Sequence, residues 1–288
     1  MYCIQSINYT PTVMTITPSF SPQNVWIQVH YAGLCRTDVM AAKGIIPVPK
    51  DRILGHECSG IVTHAPKHST LEKGMPVTIN PLYPHGFLGL DMNGVFAEHV
   101  EVPEHMVIPI PTQLSLQKAA FTEPVAAALA VLDCDIHTNE KGLVLGKGRI
   151  AKLTFEILKA HGFQYLQWSD AIPQDRFDFI IETNITSNDA EQVVHALKRK
   201  GTLILKSRTY TEISLPTKTI VQRELRIQGA HYGSFEQAID LLIKDPIHCQ
   251  QFFGPVHSIH DFVRHFNDQE EHKIFYSPLN IGPSCVES

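Results

Sequence analysis

In NVWIQVHY (24–31), Val25, Ile27, Val29 and Tyr31 take one, apolar face and alternate with Trp26, Gln28 and His30 on the other. That period of two predicts a half-buried strand. MPVTINPL, FAEHVEVP and MVIPIP are further short β runs, separated by Pro and Gly, so the chain is strand-rich to about residue 128. The pattern changes near residue 140. GLVLG (142–146) is a short apolar strand, and RIAKLTFEILKAHG follows with Ile150, Leu153, Ile157 and Leu158 at helical spacing, ending on Gly162. YLQWS and FDFIIET (177–183) read as strands and AEQVVHALKRK as a helix with Val193, Val194 and Leu197 on one face. TLILK (202–206), LRIQGA (225–230) and the helix FEQAIDLLIKD complete an alternation of strand and helix, before short mixed elements from about residue 255. Such alternation predicts βαβ units on a parallel sheet. The fold class is therefore α/β, with a β-rich part beside it.

The 288 residues suffice for two domains, and 43% hydrophobic with 18% charged residues is ordinary globular composition. A net charge of −5 with no basic stretch argues against nucleic acid as partner. No apolar run approaches a membrane span, so no membrane association is expected. The six cysteines are scattered without a CxxC pair, and MYCIQSINYT has no basic-then-apolar start. Together these point to reduced thiols and a cytoplasmic location.

Chemistry gathers at three places. GLCRTD (33–38) presents Cys35 at a strand end with Arg36, Thr37 and Asp38 behind it. ILGHECSG brings His56 and Glu57, and Glu123 precedes the apolar run PVAAALAV. Cysteine, histidine and carboxylate are the usual ligands of Zn²⁺, and a catalytic site uses three of them and leaves one position open. Glu123 equally fits the first turn of a helix, with Pro124 beside it. The third place is GKGRIA, whose Gly146, Gly148 and Ala151 follow a strand and open a helix. That is the context of a dinucleotide fingerprint. Asp170, 19 residues after Ala151, falls where an acid binds the adenosine ribose, with no arginine close behind it, which favours NAD over NADP.

AGLCRTDVMAAKG, ILGHECSGIV, NGVFAEHVEVPEHMVIPIP, FTEPVAAALAV and VLGKGRIA occur in the order and register of the zinc-dependent medium-chain dehydrogenases. The resemblance is to alcohol, sorbitol and threonine dehydrogenases and covers nearly the whole chain. It implies a GroES-like catalytic domain (1–128 and 255–288) interrupted by a Rossmann domain (129–254) that binds NAD. It implies Cys35, His56 and Glu123 as catalytic zinc ligands and Glu57 as a nearby carboxylate able to join them. Asp38 would orient His56, Thr37 would take the substrate's hydroxyl proton, and Arg36 would reach the cofactor pyrophosphate. Met40 stands where many relatives carry a relay histidine. The implied reaction is hydride transfer between NAD and a secondary alcohol, polyol or hydroxy amino acid. Lys273, before the last strand, matches the family's closing segment and is assigned no chemistry.

The chain departs from the family plan twice. PLYPHGFLGLDMNG (81–94) lacks the four cysteines of a structural-zinc lobe, so one zinc per chain is expected; His85 in this loop could line a cleft. Only AIPQDR (171–176) joins Asp170 to FDFIIET, where a Rossmann domain has a helix, a strand and another helix. Either the link lies nearly straight over the sheet or the strand before it is shortened. The adenine pocket then loses a wall, and the second reading is a degenerate member that holds zinc but little NAD, as a binding or regulatory protein. A zinc-free quinone or enone reductase is disfavoured by Cys35 and His56. LRIQGA would pair edge to edge in a homodimer.

Overall fold

The computed structural model describes residues 1–84, 86–208, 212–267 and 272–279, so His85 lies outside the described residues. The chain forms two compact units: Met1–Glu123 with Ile239–Lys244 and Cys249–Ser288, and Pro124–Ala238 with Asp245–His248.

The first unit opens with the antiparallel hairpin β1 (Tyr2–Ile7) and β2 (Thr10–Thr15). The alternating stretch is β3 (Val25–Gly33), followed by the short helix α1 (Arg36–Ala42) and β4 (Glu57–His64). Then come β5 (Pro76–Ile79), a two-residue ribbon of β6 (Leu82–Tyr83) with β7 (Gly86–Phe87), β8 (His99–Val102), β9 (Val107–Pro109), α2 (Leu116–Ala119) and α3 (Thr122–Leu129). The second unit carries β10 (Gly142–Leu145), α4 (Arg149–Ala160), β11 (Leu166–Ser169), β12 (Phe177–Glu182), α5 (Ser187–Ala196), β13 (Leu197–Leu205), α6 (Thr217–Gln222) and β14 (Arg226–Gly229). After α7 (Phe235–Lys244), the chain closes with β15 (Phe253–His257), α8 (Ile259–Arg264) and β16 (Lys273–Tyr276).

In the first unit β3 is the hub. It pairs with β4 along one edge, while β8 and β16 share the other, β8 at its start and β16 at its end. Val25, Ile27 and Val29 are fully buried, as the alternation requires. The register places Gly33 opposite both Glu57 and Phe275, so three distant segments meet where β3 delivers the chain to Cys35.

The second unit is a five-stranded parallel sheet in the order β11-β10-β12-β13-β14. Leu143 and Leu145 of β10 face a core with Val193, Val194 and Leu203, and Val144 faces the opposite core with Ala151, Leu158 and Phe179. Burial on both faces explains the continuous apolar strands. The short link after Asp170 is accommodated because β11 is an edge strand of four residues. The register sets Ser169 level with Leu145 and Glu182. Returning to Phe177 and stepping across two strand spacings takes about 19 Å, within the roughly 26 Å that the intervening residues span when extended. Ile172 of the link packs on the core that holds Leu143 and Leu145.

One element differs from the sequence pattern. The helix AEQVVHALKRK stops at Ala196; Leu197 has extended backbone and pairs with Phe177. Burying Leu197 against the sheet outweighs its helical spacing. No helix among the described residues is long and apolar enough to cross a membrane.

Candidate metal and dinucleotide sites

Strand β3 ends at Gly33, and Cys35 is the N-cap of α1 with extended backbone. Asp38 sits at the third helical position and turns back: its Oδ2 accepts the Cys35 N–H at 2.9 Å. This satisfies one donor at the helix start and fixes the residue that carries the thiol. Its other oxygen, Oδ1, lies 2.9 Å from His56 Nδ1, and both side chains are buried. Burial pulls the His56 pKa down, but the Asp38 carboxylate and Cys35 outweigh it and hold the pKa well above its ordinary value.

With Nδ1 engaged, His56 Nε2 is buried and has no hydrogen-bond partner. The ligand atoms of Cys35, His56 and Glu57 lie within 4.8 Å of one another. Glu123, in the first turn of α3, places Oε1 3.9 Å from His56 Nε2. Two ligands of one tetrahedral zinc stand about 3.4 Å apart, and somewhat more when the angle opens. The donor set therefore fits a zinc ion. An orphaned imidazole nitrogen in a dry pocket is costly otherwise. The Phe87 ring stands 5.0 Å from the imidazole, adding an apolar wall. Thr37 Oγ1 is 3.8 Å from Cys35 Sγ, and Arg36 is the exposed first residue of α1.

Glu57 is not idle among these. Both its oxygens are held by Lys273 Nζ, at 2.6 and 2.5 Å, and the same ammonium donates to the Leu34 carbonyl at 3.0 Å. Lys273 and Glu57 are each 1% exposed. Gly33 is glycine for this reason: a Cβ there would collide with the Glu57 carboxylate and stand 3.1 Å from Lys273 Cδ. Sequence reasoning passed over Lys273. The signal it could have used is a lysine opening an apolar strand, KIFY, where a charge is costly unless paired.

In the second unit the fingerprint loop joins β10 to α4. Gly146 has φ of +141°, and a Cβ there would run into Thr183 Oγ1. Ala151 is fully buried, letting α4 pack closely on the strands. Gly148 is the N-cap of α4, and the space a Cβ would take is open. Asp170 follows β11, beside this loop: the Gly146 N–H donates to Ser169 O at 2.9 Å. Its carboxylate lies 3.4 Å from Lys147 Nζ, with both side chains exposed. A glycine-lined loop, an open helix N-terminus and an acid at the neighbouring strand end suit a dinucleotide. At the same rim Glu182, fully buried, accepts from the N–H groups of Ile185, Lys206 and Ser207 and from the Ser207 hydroxyl.

Residues 21–112 match the family described as the alcohol dehydrogenase GroES-like domain. The chain is 24% identical to an uncharacterized zinc-type alcohol dehydrogenase-like protein of Haemophilus influenzae, over 96% of its own length and 97% of the relative's. It is 24% identical to D-xylulose reductase A of Aspergillus niger, over 86% and 87% of the two chains. The crystal structure of 2R,3R-butanediol dehydrogenase from Bacillus subtilis matches with a TM-score of 0.85 at 21% identity, covering 96% of this chain and 99% of that one. The chain thus carries an alcohol dehydrogenase GroES-like domain at residues 21–112, is similar to zinc-type alcohol dehydrogenases along nearly its whole length, and shares its fold with butanediol dehydrogenase.

Proposed function

We propose that this protein is a zinc- and NAD-dependent dehydrogenase that transfers hydride between the cofactor and a secondary alcohol, polyol or hydroxy amino acid. The observation that carries the reading is His56: one ring nitrogen is fixed by Asp38, and the other is buried without a partner among Cys35, Glu57 and Glu123. Cys35, His56 and Glu123 would hold the ion, which when bound supplies Lewis-acid chemistry that lowers the pKa of a substrate hydroxyl. The chain's own residues do the rest. Asp38 keeps the imidazole in one tautomer and orientation. Thr37 accepts the hydroxyl proton as the substrate carbon gives its hydride to the nicotinamide, leaving a carbonyl product. Met40, one turn on in α1, has no proton to relay, so Thr37 passes the proton to water. Gly146, Gly148 and Ala151 shape the loop for the pyrophosphate, Arg36 adds a cation for it, and Asp170 takes the ribose hydroxyls. The exposed edge strand β14 is the surface for a homodimer, and the cytoplasm suits five described cysteines that form no disulfide with one another.

The test is a fluorescence titration of the zinc-loaded protein with NADH and NADPH, after metal analysis. Saturable micromolar NADH binding, lost in Gly148→Trp, supports the reading and directs a screen of alcohols and polyols. Absence of bound metal in the wild type, or no binding of either cofactor, overturns it. Metal without cofactor would favour a non-catalytic binding protein. That second reading draws on the sheet itself, in which, among the described residues, no strand lies outside β11.

A further inference from the structure

Four acidic or thiol side chains surround His56, but a zinc site that turns over needs a vacant position. Proximity alone puts Glu57 in the metal-competent cluster with Cys35 and His56. Glu123 approaches the same imidazole, with Oε1 3.9 Å from His56 Nε2. If both carboxylates bound, Cys35, His56, Glu57 and Glu123 would complete four ligands and leave no place for substrate. Something must withhold one of them.

We propose that Lys273 is the positioning residue that selects the ligand set: it holds Glu57 off the metal, leaving Glu123 as third ligand and one position open. The proposal rests on the zinc site put forward above. Lys273 is built for the task. An ammonium has three donors, and here they go to Glu57 Oε1, Glu57 Oε2 and Leu34 O. Both carboxylate oxygens are thus engaged by a charge-assisted contact, which draws electron density away from any second cation. The Leu34 carbonyl anchors the ammonium to the peptide just before Cys35, so the restraint is indexed to the thiol. Burial of the pair excludes the water that would otherwise compete for Glu57. Gly33 leaves the room that both side chains occupy. Zinc with the Cys35 thiolate and the Glu123 carboxylate would be neutral, and Glu57 with Lys273 is neutral beside it, so engaging Glu57 elsewhere keeps a further negative charge off a site that already has the buried Asp38 carboxylate behind His56.

Cobalt(II) reports coordination directly through its visible bands, independently of turnover. The proteins to compare are full-length wild type, Glu57→Gln, Glu123→Gln, Lys273→Met, Lys273→Arg and Lys273→Met/Glu57→Gln, each loaded with Co²⁺, with zinc affinity measured by chelator competition. In wild type, Glu123→Gln should shift the bands and weaken zinc at least tenfold, while Glu57→Gln leaves the bands in place and changes affinity less than threefold. Lys273→Met should shift the bands as Glu57 joins, and tighten zinc tenfold or more. The double variant should return the wild-type spectrum, and Lys273→Arg should retain it. Unchanged bands in Lys273→Met, or a shift in Glu57→Gln alone, would overturn the proposal. If Lys273→Met does not fold, Lys273→Gln, which removes the charge but keeps a polar side chain, takes its place with the same expected band shift and the same overturning result. Failure of wild type to bind Co²⁺ or zinc defeats this proposal and the zinc-dehydrogenase reading together. Metal binding with the expected spectra but no NADH binding defeats only the latter.

Discussion

Asp38 holds both ends of the thiol–imidazole pair: one carboxylate oxygen takes the Cys35 N–H and the other meets His56 Nδ1, each at 2.9 Å. Two proposed ligands from different segments are therefore registered by one buried side chain before any metal arrives. Asp38→Ala should lower zinc affinity about 10- to 100-fold, measured by chelator competition. It should also destabilise the metal-free protein by about 1–3 kcal/mol, because the Cys35 N–H and the His56 ring lose their partner. Equal zinc affinity in the variant would show that His56 needs no such support.

Much of this was legible because it is local. Cys35 and Asp38 lie three residues apart at a strand-to-helix step, so their types and spacing carry the capping geometry. The fingerprint is likewise contained in six residues between a strand and a helix. The Glu57–Lys273 pair was not legible, since its partners are 216 residues apart and only the β4–β3–β16 register brings them together. The short link after Asp170 signalled a missing strand through simple reach. It could not say that β11 would become the edge beside β10, because strand order is a tertiary property. Leu197 misled for a related reason: its spacing is helical, but its burial is against β12.

The two glycines of the fingerprint should behave oppositely. Gly146→Ala places a Cβ at a backbone conformation that side chains rarely adopt, against Thr183 Oγ1. It should cost about 1–3 kcal/mol in urea denaturation. Gly148→Val meets open space in the protein. Its stability should fall by less than about 1 kcal/mol, while NADH affinity drops at least tenfold as the side chain takes the pyrophosphate's place. A Gly148→Val protein that binds NADH normally would move the cofactor away from α4.

Glu182 joins the C-terminal ends of β12 and β13 through backbone donors at Lys206 and Ser207, and Lys206 Nζ reaches the carbonyls of Ala230 and His231 beyond β14. This rim gives the trimmed sheet a polar clamp across three strands. Glu182→Ala leaves the Ile185 and Ser207 N–H groups without this acceptor, while the Lys206 N–H keeps the Glu182 carbonyl, and should destabilise the protein by about 2 kcal/mol or more. Denaturant midpoints measure it. Glu182→Gln, which keeps one acceptor oxygen, should lose less.

At the opposite end of the sheet Asp178 accepts from the Lys198 ammonium and from the Lys141 N–H, both at 2.8 Å. Burial alone would raise its pKa, but these hydrogen bonds and the two lysine charges hold it below the usual carboxylate range. A depressed folded-state pKa means that the contribution is fully present above the unfolded value, about 3.9, and is lost as pH falls through the folded value. Wild type should therefore exceed Asp178→Asn in melting temperature at pH 6 to 7. The gap should begin to narrow as the pH falls below the unfolded value and close once Asp178 is protonated in the folded protein as well, where both carry a neutral side chain at 178. A gap that is constant across that range would mean that the carboxylate's charge plays no part.

Asp170, proposed above to take the adenosine ribose hydroxyls, faces Lys147, a cation from the fingerprint loop, at 3.4 Å. Both side chains are exposed, so the pair itself adds little stability and Asp170 is available to a ligand. Asp170→Ala should weaken NADH more than NADPH. The lost carboxylate accepts from the two ribose hydroxyls of NADH but repels the additional phosphate of NADPH, which Lys147 would then attract. Expressed as a ratio, the preference for NADH should fall at least tenfold in Asp170→Ala, read by parallel fluorescence titrations at one ionic strength. Melting temperature should stay within a degree or two of wild type, since the residue lies beyond the end of β11 and makes no buried contact. An unchanged cofactor ratio would place the adenosine elsewhere than at the end of this strand.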